Sequence, residues 1–216
     1  MFQSRKDTVY IVLAGIFITN AIVAELIGGK LIDVGSAVMS IGILPWPIVF
    51  VTTDLINEYF GEKGVRRLSF ITAGLIAYTF FVLFFAMKIP ATGISSVSSE
   101  QFNAVFGQSQ LIIVGSIIAF LASQLIDVTV FHFVKRRTGN KMIWLRSTGS
   151  TVISQFFDSF IVLGIAFWLP GIIDTKTYII SGLTGYTVKL IIAVGMTPFI
   201  YLGHSVIEKY IAKDGK

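Results

Sequence analysis

The sequence predicts an all-α polytopic membrane protein with six transmembrane helices and with both the N-terminus and the C-terminus in the cytoplasm. Three observations support this fold class. The mean hydropathy is +0.81, with 54% hydrophobic and only 13% charged residues. Successive apolar runs reach about 20 residues, enough to cross a hydrocarbon core of roughly 30 Å. The basic residues are concentrated in alternate loops. The runs are continuously apolar rather than alternating, which favours helices over barrel strands.

The predicted spans cover about residues 8–27, 38–58, 68–88, 111–134, 150–169 and 180–206. We expect them to form a single transmembrane domain over residues 1–216, without a soluble domain. The first run follows Arg5 and Lys6, as the apolar part of a signal peptide would. It is longer than that part and contains Asn20 and Glu25, so we expect a retained helix.

The orientation follows from the basic residues. With a cytoplasmic N-terminus, 13 of the 17 lysines and arginines fall on the cytoplasmic side and Lys189 lies within the last span. Only Lys30, Lys88 and Lys176 fall outside, as the positive-inside rule requires. We therefore attribute the net charge of +5 to membrane topology and expect no nucleic-acid partner. The chain has no cysteine, which excludes disulfide bonds, thiol catalysis and Cys-ligated metal sites.

The second span contains Pro45 and Pro47 near its entrance, on either side of Trp46. Two prolines remove two amide donors and disfavour a straight helix before residue 48. This pattern leaves two alternatives open. The entrance is either a broken or partly re-entrant helix that lines a cavity, or a simple junction between a loop and a helix.

The chemistry of the chain is concentrated in polar residues within the apolar runs. The motif Ser-Gln-x-x-Asp occurs at residues 123–127 and again at residues 154–158, in two successive spans. Its three polar positions are three or four residues apart and so share one helix face. The second span places Asp54, Asn57 and Glu58 on one face in the same way. We expect the antiparallel helices to oppose these faces.

An aspartate at a helix centre costs about 2.5 to 3.5 kcal/mol on insertion scales, so these residues require partners or a function. At about 1.5 Å per residue, helical rise predicts that Asp54, Asp127 and Asp158 lie in one layer near the membrane midplane. Asn20 is deep enough to join them. One interpretation is an internally satisfied network, with Lys189 paired to an aspartate. The other is a ligand site, because acceptors outnumber cationic donors and suit a cationic or donor-rich ligand.

Several motifs together resemble the queuosine precursor transporter family, also called the vitamin uptake transporter family. They are residues 47–55 with 60–61, 123–128, 150–158, and Lys189, in this order. The resemblance implies a six-helix importer in the prokaryotic plasma or inner membrane, not an enzyme and without a cofactor. Its substrates would be 7-deazaguanine precursors of queuosine: 7-cyano-7-deazaguanine, its aminomethyl relative or queuine. It also implies substrate-binding residues at the matching positions, namely Asn20, Asp54, Asn57, Gln124, Asp127, Gln155, Asp158 and Lys189. Glu58 is included with them, in an Asn-Glu pair that resembles one branch of the family.

A deazaguanine suits such a site chemically, because its N1–H and exocyclic amine can both be donated to one carboxylate. The sequence leaves open whether a proton or sodium ion is coupled, or whether transport is facilitated diffusion. A homodimer is also left open.

One alternative function is the substrate-capture subunit of an ATP-driven system, whose nucleotide-binding loop would have to lie on another chain. An intramembrane enzyme is disfavoured because the familiar hydrolase and zinc-protease motifs are missing from the sequence. A purely structural scaffold is the remaining alternative.

Overall fold

The computed structural model describes residues 4–34, 37–107, 110–139 and 141–212. Its helices are α1 (Arg5–Ile27), α2 (Trp46–Lys88), α3 (Ser99–Phe106), α4 (Gln110–Thr138), α5 (Ile143–Leu163) and α6 (Thr175–Ile211). A 3-10 helix (Ile41–Ile43) precedes α2, and a π-helical turn (Gly164–Trp168) continues α5. Lys213 and Lys216, which we placed on the cytoplasmic side, lie outside the described residues.

The prediction of an all-α polytopic membrane protein is confirmed by length and composition. Among the described residues, five helical stretches are long and apolar enough to cross a membrane: Arg5–Ile27, Ile41–Lys88, Ile112–Thr138, Ile143–Trp168 and Thr175–Ile211. The third predicted span and most of the second lie within the stretch Ile41–Lys88, whereas residues 38–40 of the second form part of a strand. The count of six crossings and the orientation of the termini therefore stay predictions.

Polar residues face inward on α5, and apolar residues face outward. Ile153, Phe156 and Phe157 are exposed. The buried positions on this helix are polar or charged: Arg146, Ser147, Ser150, Thr151, Ser154, Gln155, Asp158 and Ser159. A surface helix of a water-soluble protein has the opposite pattern. The outer surface of α5 therefore suits lipid, and its inner surface carries the polar chemistry.

The start of α2 settles the question that the two prolines raised. The helix begins at Trp46, with Pro45 at the N-cap and Pro47 in the first turn. The first amides of a helix have no partner within it, so a proline there breaks no hydrogen bond. The structure therefore shows the loop-to-helix junction rather than a broken helix.

A short antiparallel hairpin, which the sequence analysis did not predict, lies between α1 and α2. Strand β1 (Leu31–Val34) pairs with β2 (Ala37–Ser40), with Leu31 opposite Ser40. The Ile41 amide donates to the Lys30 carbonyl at 2.9 Å. The Ser40 hydroxyl donates to the Gly28 carbonyl at 2.7 Å. These bonds fix the hairpin against the end of α1.

Gly61 interrupts α2 between the two predicted spans that this helix contains. Its backbone has φ 72° and ψ 180°, a conformation that is essentially restricted to glycine. We expect Gly61→Ala to lower the free energy of unfolding by about 1 to 3 kcal/mol, from backbone strain alone. A Cβ would meet no atom within 4 Å, so crowding does not contribute. The melting temperature in detergent measures the effect.

Gly74 provides the matched control on the same helix. A Cβ at this position would also meet no atom within 4 Å, but the backbone here is helical. Alanine is favoured over glycine there by about 0.5 to 1 kcal/mol, so Gly74→Ala should raise the melting temperature slightly. Equal shifts in the two variants would contradict a special role for the Gly61 backbone.

Candidate functional site

A small polar cavity lies between α2, α4 and α5. Its volume is about 10 Å³, and its lining residues are Phe50, Thr53, Ser123, Gln124, Asp127, Thr151, Ser154 and Gln155. A cavity of this volume has room for about one water molecule. Ligand pockets for small organic molecules usually have at least ~300 Å³. A larger ligand in this cavity therefore requires the three helices to separate.

The spacing of polar residues explains why these helices build the cavity. Ser123, Gln124 and Asp127 lie at positions i, i+1 and i+4 of α4 and share one face. Thr151, Ser154 and Gln155 share a face of α5 in the same way. The short connection between the two helices makes them antiparallel neighbours, so both polar faces border the cavity. From α2, Phe50 contributes an aromatic ring to the same cavity.

Asp127 has one occupied and one free carboxylate oxygen. Its Oδ1 accepts hydrogen bonds from Thr151 Oγ1 at 3.4 Å and from Ser154 Oγ at 3.3 Å. Its Oδ2 is buried and has no hydrogen-bond partner, and the same is true of Gln124 Oε1. Buried polar atoms nearly always have a partner. These two acceptors are therefore available to the donors of a ligand.

Asp54 and Asn57 lie beside the cavity but are not among its lining residues. The Ser147 hydroxyl on α5 donates to Asp54 Oδ2, whereas Asp54 Oδ1 has no partner. Asn57 is fully buried, and neither its Oδ1 nor its Nδ2 has a partner. The α2 face therefore brings unsatisfied polar atoms to the interior next to the cavity.

Asp158, the acidic residue of the second Ser-Gln-x-x-Asp motif, has a different environment from Asp127. Lys189 Nζ on α6 donates to Asp158 Oδ2 at 2.5 Å. This ion pair joins α5 to α6, and neither residue is among those lining the cavity. The two copies of the motif therefore differ. The aspartate of the first copy, Asp127, lines the cavity, whereas the aspartate of the second copy, Asp158, is paired with a lysine.

Glu58 is held in ion pairs at the other end of α5. Its Oε2 lies 3.1 Å from Lys135 Nζ and 2.8 Å from Arg146 Nη2. Arg146 is buried, and its Nη1 donates to the carbonyls of Gly139 at 2.9 Å and Lys141 at 3.3 Å. Glu58 is absent from the cavity lining. Its contacts are those of a group that ties α2 to α4 and α5.

Arg146 is the residue that the sequence analysis misplaced. The predicted fifth span begins at about residue 150 and leaves Arg146 outside it, whereas Arg146 lies in the first turn of α5 and is 1% exposed. A signal for this position does exist, because Arg146, Ser150, Ser154 and Asp158 are four residues apart. Continuing the polar stripe by one more turn would have placed Arg146 on the buried face.

Asn20 is not brought to the cavity. Its Nδ2 donates to the Ile16 carbonyl, one turn earlier in α1, at 2.8 Å. This local bond is common for polar residues within helices. Of the residues proposed from the sequence, the structure brings Gln124, Asp127 and Gln155 together around the cavity.

The three aspartates do not share one layer. Asp54 meets α5 at Ser147, and Asp127 meets it at Thr151 and Ser154. Ser147 and Asp158 are separated by about 16 Å along α5, given a rise of about 1.5 Å per residue. The carboxylates instead form a column, with Asp127 between the other two.

Comparisons with known proteins find a matching family and similar proteins. Residues 40–203 match a protein family described as "Putative vitamin uptake transporter". A relative from Bacillus subtilis is 29% identical over 182 residues, which cover 82% of this chain and 77% of the relative. One from Haemophilus influenzae is 29% identical over 130 residues, covering 59% of this chain and 51% of the relative. Both are named "Probable queuosine precursor transporter", and neither name refers to an ATP-driven system. No solved structure matches the chain significantly.

Proposed function

The chain belongs to the vitamin uptake transporter family, and from this premise we propose that it imports 7-deazaguanine precursors of queuosine. The names of the two relatives support this substrate class. The chain is a multi-pass membrane protein with apolar helices, and the plasma membrane of a prokaryote is the membrane in which such an importer works. We infer a secondary transporter that binds the base in the polar cavity between α2, α4 and α5.

Six crossings with both termini in the cytoplasm form part of this proposal. The stretch Ile41–Lys88 has 48 residues, about twice the length that one crossing requires. Gly61 interrupts its helix, and residues 62–67, directly after it, include three basic residues. A cytoplasmic connection between two crossings at this point satisfies the positive-inside rule.

The observation that carries the proposed site is the pair of free acceptors at the cavity. Asp127 Oδ2 and Gln124 Oε1 are buried without partners, and a deazaguanine offers an N1–H and an exocyclic amine along one edge. A carboxylate and a neighbouring amide oxygen can accept both donors. The Gln155 amide can donate to the base O6. Phe50 offers an aromatic face, on which a flat base can stack.

The direct test is uptake of radiolabelled 7-cyano-7-deazaguanine by bacteria that lack their own importer. Cells that express this chain are expected to accumulate the label, whereas cells with an empty vector should not. Competition by the unlabelled aminomethyl precursor and by queuine then ranks the substrates. If the chain is present in the membrane and no precursor accumulates, the proposed function is wrong.

Reconstitution separates the two modes of transport. Proteoliposomes that contain only this chain are expected to take up the precursor without ATP, as a secondary transporter does. Uptake that requires a second protein and ATP would favour the substrate-capture alternative instead.

A further inference from the structure

The interior beside the cavity contains more negative than positive charge. Three charged side chains lie near Asp54, namely Asp127 on α4, Arg146 on α5 and Glu58 on α2. Arg146 and Lys135 are both paired with Glu58. This cluster therefore contains three carboxylates and two cationic groups.

Two cationic groups on α6 have partners of their own, whereas His132 Nε2 on α4 is buried without one. On α6, Lys189 is paired with Asp158, and His204 Nε2 lies 3.3 Å from Glu208. On α1, Glu25 accepts a hydrogen bond from Ser116 of α4. Two neighbouring carboxylates in a low dielectric strongly disfavour double ionisation. One additional positive charge relieves this cost.

Asp54 is better suited than Asp127 to take that charge. Asp127 Oδ1 accepts two hydroxyl hydrogen bonds, which stabilise its ionised form. Asp54 accepts one, from Ser147, and its Oδ1 has no partner. Asn57 lies three residues further along the same face of α2, fully buried and with both side-chain polar atoms unsatisfied. A proton on Asp54 Oδ1 would provide the donor that Asn57 Oδ1 lacks.

We propose that Asp54, Asn57 and Ser147 form a proton site next to the substrate cavity, and that one proton and the base bind together. This proposal rests on the proposed function. Protonated Asp54 leaves Asp127 as the ionised acceptor for the base, whereas an ionised Asp54 disfavours that state of Asp127. Binding of the base therefore favours proton uptake, and protonation favours binding to the same extent. The described residues contain no group of three or more His, Cys, Asp or Glu side chains able to hold a metal ion.

The test is the pH dependence of affinity, measured with purified protein and radiolabelled 7-cyano-7-deazaguanine from mildly acidic to mildly alkaline pH. On the alkaline side, the wild-type dissociation constant is expected to rise by up to about tenfold per pH unit, the limit for one linked proton. Asp54→Asn imitates the protonated state, so its affinity should not vary over this range. Asp54→Glu, which restores the carboxyl group, should restore the pH dependence, and Asp33→Asn, on the exposed hairpin, should retain it.

Proteoliposomes that enclose a pH-sensitive dye provide a second readout. External precursor is expected to acidify the interior through the wild-type protein and not through Asp54→Asn. An unchanged pH slope in Asp54→Asn would overturn the proton site, as would precursor uptake by the wild type without proton entry. The wild-type dye measurement decides the question even if Asp54→Asn does not fold. Failure of the wild type to bind the precursor at any pH would instead overturn the proposed function, and this inference with it.

Discussion

Replacement of Asp127 by asparagine is expected to weaken precursor binding by about 10- to 150-fold, because a hydrogen bond to a charged group contributes roughly 1.5 to 3 kcal/mol. Asparagine retains one oxygen for the hydroxyls of Thr151 and Ser154. Its amide nitrogen then replaces the free Oδ2 and presents donors to the donor edge of the base. The dissociation constant of the purified variant measures the effect, and uptake by cells should fall with it.

Two other aspartates serve as comparisons for Asp127. Asp33→Asn changes an exposed carboxylate on the hairpin and should bind the precursor as the wild type does. Asp158→Asn breaks the ion pair with Lys189 and should lower the melting temperature more than the affinity. Normal affinity in Asp127→Asn together with weak binding in Asp158→Asn would move the substrate site to the Asp158–Lys189 pair.

Replacement of Arg146 by alanine is expected to lower the free energy of unfolding by about 3 to 5 kcal/mol, the range found when one partner of a buried ion pair is removed. Arg146 is 1% exposed and pairs with Glu58. The change also leaves the carbonyls of Gly139 and Lys141 without its guanidinium donors. The melting temperature in detergent should fall accordingly.

Arg136 is the matched control for Arg146. It forms an ion pair with Glu62 at 3.5 Å, but its side chain is 78% exposed. Exposed ion pairs contribute about 0 to 1 kcal/mol, so Arg136→Ala should scarcely change the melting temperature. Similar stability in the two alanine variants would show that Arg146 is not the structural link between α2 and the α4–α5 connection.

The long apolar helices were predictable from the sequence because continuous apolar runs and alternating loop charges are strong signals for membrane spans, whereas α3 lies outside the predicted spans. The hairpin Leu31–Ser40 was not, because strands of four residues are too short to give a clear periodic pattern beside long apolar helices. Gly61 lies in a predicted loop between spans, whereas the structure continues the helix up to it and after it. A local sequence indicates that glycine is tolerated, but not which backbone angles it adopts.

The polar faces of α4 and α5 were predictable because side chains three or four residues apart share a helix face. The partner of each aspartate was not predictable, since spacing along one helix does not define how far its neighbour is shifted along the common axis. Asp127 reaches Thr151 and Ser154 on α5, whereas Asp158 is far enough along α5 to meet Lys189 on α6. The resemblance supplied the set of residues but not this division between them.

The small volume of the cavity has a consequence for any measured affinity. A base cannot occupy about 10 Å³, so binding at the proposed site selects molecules in which α2, α4 and α5 have separated. The apparent dissociation constant equals the intrinsic constant divided by the fraction of molecules in which the helices are separated. If about 1% of the molecules are in this state, the apparent affinity is about 100-fold weaker than the contacts alone provide. Substitutions that weaken the interhelical contacts and never touch the ligand therefore tighten apparent binding, and affinity reports the conformational equilibrium as well as the site.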